Sequence, residues 1–271
     1  VHSEKSQSEI EVNQELKNIN FIPYVWNNTW GEGREDMIYR LTNIGFKAVM
    51  SNSSAFYFDM SDDRDMENSG LNWSGYVNYK DSWGTEPLDV FANKVNLRSK
   101  GINQTEIANK EKLKAVENFL GIQSQLWTET ATNSYEFDRM LMPNMIVFSQ
   151  RAWSEKETWI DEKTAEAQEP LLNISWNILV NSIGQRHLPL LTGLYGGIAF
   201  DLPKPGAIID KGELIVRQQF PGLNIHYTLD GKIPNTQSLK YTKPTKIPES
   251  SVVTLRIFDS QGRGGNSIQI K

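Results

Sequence analysis

Residues 121–154 read GIQSQLWTETATNSYEFDRMLMPNMIVFSQRAWS, and this segment decides the fold. It begins with a short apolar run that ends at Trp127, which is typical of a buried strand. A helical pattern follows over residues 134–152, with an interruption at Pro143. A strand, a polar turn and a helix in this order form one unit of a parallel sheet with crossover helices.

The same order occurs earlier in the chain. Residues 18–28 (NINFIPYVWNN) predict a strand, residues 34–45 have apolar side chains at helical spacing, and residues 46–54 (FKAVMSNSS) predict a second strand. Gly45 is the expected end of the helix between them. Further helices are predicted over residues 105–118 and 161–191. The fold class is therefore α/β.

The pattern of apolar and polar residues changes after LPKPG, residues 202–206. Short alternating segments follow, separated by turn signals at Pro221-Gly222, Asp230-Gly231 and Gly264-Gly265. They predict a small all-β, immunoglobulin-like sandwich. We therefore expect one domain over residues 1–200 and a second over residues 201–271.

Composition excludes several classes of function. The 271 residues carry a formal net charge of −5, which argues against binding nucleic acid through its phosphates. The chain has no cysteine, hence no disulfide, no cysteine-ligated zinc and no cysteine nucleophile. Its three histidines are dispersed, so we expect neither a metal nor another cofactor. No run of about 18 apolar residues predicts a membrane span.

Aromatic and acidic residues follow each predicted strand. Trp26 follows the first, Tyr57 and Asp59 follow the second, and Trp127 and Glu129 follow the third. In a (β/α)8 barrel the carboxyl ends of the strands meet at the active site. Flat rings that stack on sugar C–H faces, beside carboxylates that accept from hydroxyls, suit a carbohydrate.

Each of these residues also has a purely structural interpretation. A tryptophan at the end of a strand often belongs to the core. Asp59 and Glu129 are equally placed to cap the helices that follow them. Tyr57 alone is compatible with a buried ring whose hydroxyl is satisfied.

Four segments resemble glycoside hydrolase family 20. Residues 121–154 resemble its last barrel strand and helix, G-x-x-x-x-x-W-x-E followed by D, P and A-x-W. VMSNSSAFYFDM, residues 49–60, resembles the preceding strand with its Y-x-D, and PYVWNNTWGEG, residues 23–33, the strand before that. LPKPGAIIDKG and PGLNIHYTLDGKIPNTQS resemble the C-terminal domain of bacterial chitobiases.

The resemblance implies the C-terminal part of a (β/α)8 barrel followed by the sandwich. It implies an exo-β-N-acetylhexosaminidase, which releases terminal N-acetylglucosamine or N-acetylgalactosamine from chitobiose-like oligosaccharides with retention. In this family the acetamido oxygen of the substrate attacks the anomeric carbon, so the enzyme supplies no nucleophile. The implied location is the periplasm, the outer membrane or the exterior of a bacterium.

The resemblance also implies residue roles. Tyr57 would donate to the acetamido oxygen and hold it in a near-attack position. Asp59 and Glu129 would hold sugar hydroxyl groups around O4 and O6. The aromatic walls of the pocket would be Trp26, Trp127 and, beyond the scissile bond, Trp73.

One family feature is missing. The Asp-Glu pair that contains the general acid lies on an earlier strand of the family's barrel, and the one Asp-Glu here is Asp161-Glu162, at a predicted helix start. Charge near a helix N-terminus explains that pair. We therefore expect the isolated chain to be inactive without the N-terminal remainder of the same enzyme. The alternative is a non-catalytic fragment that binds amino sugars or a partner.

Overall fold

The computed structural model describes residues 19–65 and 68–271. The described residues divide into two compact units, of which the first comprises residues 19–65, 68–133 and 144–174 and the second comprises residues 134–143 and 175–271. The domain boundary that we propose between residues 200 and 201 follows the change in the pattern of apolar and polar residues along the sequence.

A three-stranded parallel sheet lies in the first unit. Its strands are β1 (Tyr24–Val25), β2 (Ala48–Met50) and β3 (Phe119–Ile122), in the order β1-β2-β3. Tyr24 pairs with Val49, and Val49 pairs in turn with Gly121. The predicted succession of strand, helix and parallel strand is confirmed.

The connection between β1 and β2 is helix α1 (Met37–Asn43). The helix ends as the sequence predicts: Gly45 has a φ of 99°, a left-handed conformation that suits glycine. The Gly45 N–H donates to the Thr42 carbonyl at 2.9 Å, and the Phe46 N–H donates to the Leu41 carbonyl at 3.1 Å. This pair of bonds is a Schellman motif, which satisfies the last carbonyls of the helix.

Among the described residues, five further α-helices lie wholly within the first unit. They are α2 (Ser53–Phe56), α3 (Tyr79–Trp83), α4 (Lys94–Ser99), α5 (Gln104–Ile107) and α7 (Asn144–Trp153). Helix α6, which precedes α7 in the chain, belongs to the second unit and is described below. Helix α7 contributes Phe148, whose ring lies edge-on to Phe56 at 5.3 Å. The sheet, α1 and Phe56 share one core with residues from the long connection between α3 and α4, among them Val90 and Phe91.

The predicted helix over residues 105–118 is wrong beyond its first turn. Only Gln104–Ile107 are α-helical, and a single 3₁₀ turn follows at Val116–Asn118. The intervening backbone bonds to side chains of α1 and its cap instead. The Glu111 N–H donates to the Asp36 carboxylate at 2.7 Å, and the Lys114 N–H donates to the Asn43 side chain at 2.8 Å. These bonds replace the helical ones.

The second unit begins with α6 (Ser134–Leu141), which ends just before Pro143 as predicted. The long helix predicted over residues 161–191 is divided into α8 (Ala165–Ser182), whose residues up to Ile174 belong to the first unit, a π-helical turn at Ile183–His187, and α9 (Leu188–Gly193). In the π turn, Gly184 lies directly against the backbone of Phe220 and Pro221.

Seven strands complete the second unit as two antiparallel sheets. They are β4 (Gly206–Asp210), β5 (Glu213–Arg217), β6 (Asn224–Thr228), β7 (Leu239–Tyr241), β8 (Thr245–Lys246), β9 (Val253–Phe258) and β10 (Gly264–Ile270). One sheet has the order β4-β5-β8 and the other β10-β9-β6-β7. Both bury apolar side chains, such as Leu214 from β5 and Leu255 from β9. The prediction that the C-terminal part of the chain folds as β-sheet is confirmed.

Within the part of the chain that the structure describes, no helix combines the length and the apolar character that crossing a membrane requires.

Candidate active site

Tyr57 and Asp59 lie where the chain leaves the sheet after β2. One turn of helix, α2, separates them from the strand, and the chain then pairs with the segment after β3. The Phe58 N–H donates to the Gln125 carbonyl at 2.8 Å, and the Gln125 N–H donates to the Phe56 carbonyl at 3.0 Å. This parallel bridge between Tyr57 and Gln125 brings the Tyr57–Asp59 segment beside the Trp127–Glu129 segment.

Three aromatic rings form a continuous cluster over this position. The Trp73 ring lies edge-on to Tyr57 at 5.9 Å and edge-on to Trp26 at 5.8 Å. Tyr57 is buried, whereas Trp26 is 37% exposed, Trp73 47% and Trp127 51%. The core-packing interpretation therefore fits the Tyr57 ring and does not fit the three tryptophans, since each keeps a large part of its surface open.

Asp59 is a buried carboxylate without a hydrogen-bond partner. Only 1% of the residue is exposed, and neither carboxylate oxygen makes a hydrogen bond to a described residue. The helix-capping interpretation does not hold, because the next described helix, α3, is capped by Asn78. A buried acid with both oxygens unpartnered is available to accept from a ligand.

The backbone around Asp59 is held by a segment that sequence reasoning missed. The Leu71 N–H donates to the Asp59 carbonyl and the Ser61 N–H donates to the Leu71 carbonyl, both at 2.8 Å. Gly70 makes this approach possible: it has a φ of 119°, and a Cβ there would lie 2.7 Å from the Asp59 carbonyl oxygen. The signal in the sequence was a lone glycine three residues before Trp73.

Burial shifts the acid–base properties of both buried groups. It raises the pKa of the Asp59 carboxyl, the negative charge of Glu129 raises it further, and the nearby backbone N–H groups of Asp59 and Trp127 offset part of the increase. Burial also raises the pKa of the Tyr57 hydroxyl, with partial offset from hydrogen bonding to the Trp127 side chain. Tyr57 is therefore a neutral hydrogen-bond donor at physiological pH.

The structure thus brings the six predicted residues into one neighbourhood. Rings connect Trp26, Trp73 and Tyr57, and the pKa of Asp59 responds to both Trp127 and Glu129. The Asp161-Glu162 pair has a different setting. Asp161 is exposed and forms an ion pair with Lys156 on the surface.

Asp59→Asn is expected to raise the melting temperature at pH 7. Because the folded pKa of Asp59 is raised, the folded state binds more protons than the unfolded chain between the unfolded value of about 3.9 and the folded value, so stability falls as pH rises through that range. The asparagine carries no charge, so the variant does not lose this folding stability as the pH rises. Thermal unfolding at pH 7 and below about pH 4 measures it, and the gain should vanish at the lower pH.

Asp161→Asn is the matched control for that measurement. The ion pair with Lys156 lowers the pKa of Asp161, so its charge does not oppose folding. The control should leave the melting temperature unchanged or slightly lower. An Asp59→Asn chain no more stable at pH 7 than the wild type would contradict the assignment of Asp59 as an unpaired buried charge.

The parallel strands and the crossover helix are those of part of an α/β fold of the TIM-barrel type. Two family profiles match the sequence. "Glycosyl hydrolase family 20, catalytic domain" covers residues 7–156, and "Chitobiase/beta-hexosaminidase C-terminal domain" covers residues 188–267. The chain belongs to glycosyl hydrolase family 20.

Several named proteins are similar to this chain. A "Beta-hexosaminidase" of Vibrio vulnificus is 28% identical over 92% of this chain and 30% of its own length. An "N,N'-diacetylchitobiase" of Vibrio harveyi is 28% identical over 74% of this chain and 23% of its own length. The crystal structure of a GH20 exo-β-N-acetylglucosaminidase from Vibrio harveyi with N-acetylglucosamine covers 57% of this chain and 21% of that one, with 22% identity and a TM-score of 0.38. The chain spans less than a third of each of them.

Proposed function

We propose that this chain forms part of the sugar pocket of an exo-β-N-acetylhexosaminidase that removes terminal N-acetylglucosamine or N-acetylgalactosamine from chitobiose-like oligosaccharides. The observation that carries the proposal is the buried, unpartnered Asp59 beside the ring cluster of Tyr57, Trp73 and Trp26. Family membership and the names of the two Vibrio relatives support the same substrate class.

Each residue has a distinct part in the proposed reaction. The neutral Tyr57 hydroxyl donates to the acetamido oxygen of the substrate, which holds that oxygen below the anomeric carbon and stabilises the charge that develops on the acetamido group. Asp59 and Glu129 accept from sugar hydroxyl groups around O4 and O6. Trp26 and Trp127 line the pocket of the terminal sugar, and Trp73 stacks on the sugar beyond the scissile bond.

The general acid is proposed to come from the N-terminal remainder of the same enzyme. In the described residues the parallel sheet has three strands, too few to close an eight-stranded barrel. The candidate pair within the chain, Asp161-Glu162, has its aspartate in a surface ion pair. A location in the bacterial envelope or outside the cell is part of the same proposal.

The second candidate function is binding of amino sugars without catalysis. The open faces of the three tryptophans favour it, since stacking on a sugar needs no general acid. Hydrolysis of 4-nitrophenyl N-acetyl-β-glucosaminide separates the two functions when it is measured on the chain alone and together with its N-terminal remainder. Turnover that requires both pieces supports the enzyme, and absence of turnover with both pieces contradicts it.

Trp127→Ala is expected to weaken binding of N-acetylglucosamine by roughly 5- to 10-fold, because one stacking ring contributes about 1 kcal/mol. Isothermal titration of the free chain measures the change. Trp153→Ala is the matched control: Trp153 ends α7 and is 90% exposed, outside the ring cluster. Equal weakening in both variants would contradict the assignment of Trp127 to the pocket.

A further inference from the structure

We propose that the serines between β2 and Tyr57 are positioning residues that hold the three tryptophans of the pocket in place. We call Ser51, Ser53 and Ser54 the serine hub. Each hydroxyl of the hub bonds to a side chain that lies within two residues of a different tryptophan. The proposal deepens the proposed function, on which its consequences for sugar binding rest.

The first bond positions the segment of Trp26. The Asn28 side-chain amide donates to the Ser54 hydroxyl at 2.9 Å, and the Ser54 N–H donates back to the Asn28 side-chain oxygen at 3.4 Å. The backbone adds a third bond, from the Ser53 N–H to the Trp26 carbonyl at 2.9 Å. The segment after β1 is therefore fixed at two points, at the Trp26 carbonyl and at the Asn28 side chain.

The second bond positions Trp73. The hydroxyls of Ser53 and Ser74 lie 2.6 Å apart, and Ser74 is the residue directly after Trp73. Trp73 lies in the long connection between α2 and α3, and among the described residues there it belongs to neither a helix nor a strand. The bond to Ser53 thus ties this connection to the end of the sheet.

The third bond positions the segment of Trp127. The Gln125 side-chain amide donates to the Ser51 hydroxyl at 3.1 Å. Gln125 also forms the backbone bridge to Tyr57, two residues before Trp127. Both contacts set the path of the chain as it enters the pocket.

The burial of the hub fits a role in positioning. Ser51, Ser53 and Ser54 are all buried, and so are Asn28 and Ser74. A buried hydroxyl keeps its partner because a broken bond leaves a polar group without water. Trp26, Trp73 and Trp127 are each between 37% and 51% exposed, so packing covers only part of each ring. Buried hydrogen bonds to residues close to the tryptophans in the chain give the support that a preorganised binding site requires.

The bond between Ser53 and Ser74 offers the cleanest test. We would prepare Ser53→Ala, Ser74→Ala and the double variant, and record the indole N–H resonances of the tryptophans by NMR, assigned with Trp→Phe variants. The Trp73 resonance is expected to shift or broaden to the same extent in all three variants, because two partners of one bond are not additive. The Trp26 and Trp127 resonances should move less than that of Trp73.

Ser82→Ala is the matched control, since Ser82 is a buried serine whose hydroxyl donates to the Ala55 carbonyl. It should lower stability without shifting the Trp73 resonance. Ser74→Thr, which keeps a hydroxyl, should restore the wild-type Trp73 resonance. An unshifted Trp73 resonance in Ser74→Ala, or an equal shift in Ser82→Ala, would overturn the proposal.

Titration with N-acetylglucosamine then separates the hub from the function of the pocket. If the pocket binds the sugar, Ser53→Ala should weaken binding by up to about 5-fold, because the free energy of one neutral hydrogen bond limits the preorganisation that its loss removes. Affinity equal to wild type would overturn the role of the hub in sugar binding. If the wild-type chain combined with its N-terminal remainder binds no sugar while the Trp73 resonance still responds as expected, the proposed function fails and the positioning role is supported.

Discussion

Tyr57→Phe is expected to lower kcat for 4-nitrophenyl N-acetyl-β-glucosaminide by roughly 100-fold, with little change in KM. The phenylalanine keeps the buried ring and its edge-on contact with Trp73 and removes only the hydroxyl. That hydroxyl is neutral and adjacent to the negative charge of Asp59. Its proposed bond to the acetamido oxygen strengthens as charge develops there, so its loss affects the transition state more than the bound substrate.

Steady-state kinetics on the chain combined with its N-terminal remainder measure this effect. Tyr39→Phe is the matched control, because Tyr39 is also buried and its hydroxyl bridges the Pro87 carbonyl and the Val90 N–H, at 2.9 and 2.8 Å. The control should lose about 1–3 kcal/mol of stability and keep its kcat. A Tyr57→Phe effect confined to KM would show that Tyr57 contributes uniform binding only.

Gly184→Ala is expected to destabilise the second unit by about 3 kcal/mol or more. A Cβ at this position would lie 2.1 Å from the Pro221 carbonyl oxygen and 2.9 Å from the Phe220 carbonyl carbon. Both neighbours are backbone atoms, so neither can turn aside as a side chain would. The gain in helix propensity from glycine to alanine is about 1 kcal/mol and does not offset this overlap.

Urea unfolding followed by circular dichroism measures the loss of stability. Gly193→Ala supplies the control, since a Cβ there would meet no atom within 4 Å apart from its own helix and chain neighbours, and its φ of −94° is open to any residue. The control should unfold within about 0.5 kcal/mol of the wild type. If Gly184→Ala is as stable as Gly193→Ala, the close packing of the π turn against residues 220–221 is wrong.

Local sequence patterns predict only part of the candidate site. The spacing of aromatic and acidic residues after three predicted strands makes Tyr57, Asp59 and Trp127 candidates, and the roles proposed for them come from the resemblance to the family. The spacing was not enough to distinguish a ring in the core from one on the surface. That distinction depends on neighbours that are distant in sequence, such as Trp73 beside Trp26.

The sequence by itself determined the α/β and all-β parts of the chain. Hydrophobic periodicity and turn residues are local properties, and they predicted β1, α1, β2 and the end of the helix at Gly45. The run from Gly206 to Ile270 likewise has alternation and turns that need no tertiary information. These elements follow from the chain because short-range preferences and burial agree.

Only the tertiary structure decided where the polar residues go. Asn43 and Asp36 bind the backbone of residues 111–115 and prevent the helix that the local sequence favours. The serine hub and Gly70 likewise contact residues that are distant in the sequence and that the fold brings close. A hydrogen bond needs its two groups within about 3 Å at a suitable angle. A local sequence pattern does not predict which group, distant in the sequence, will lie at that distance and angle.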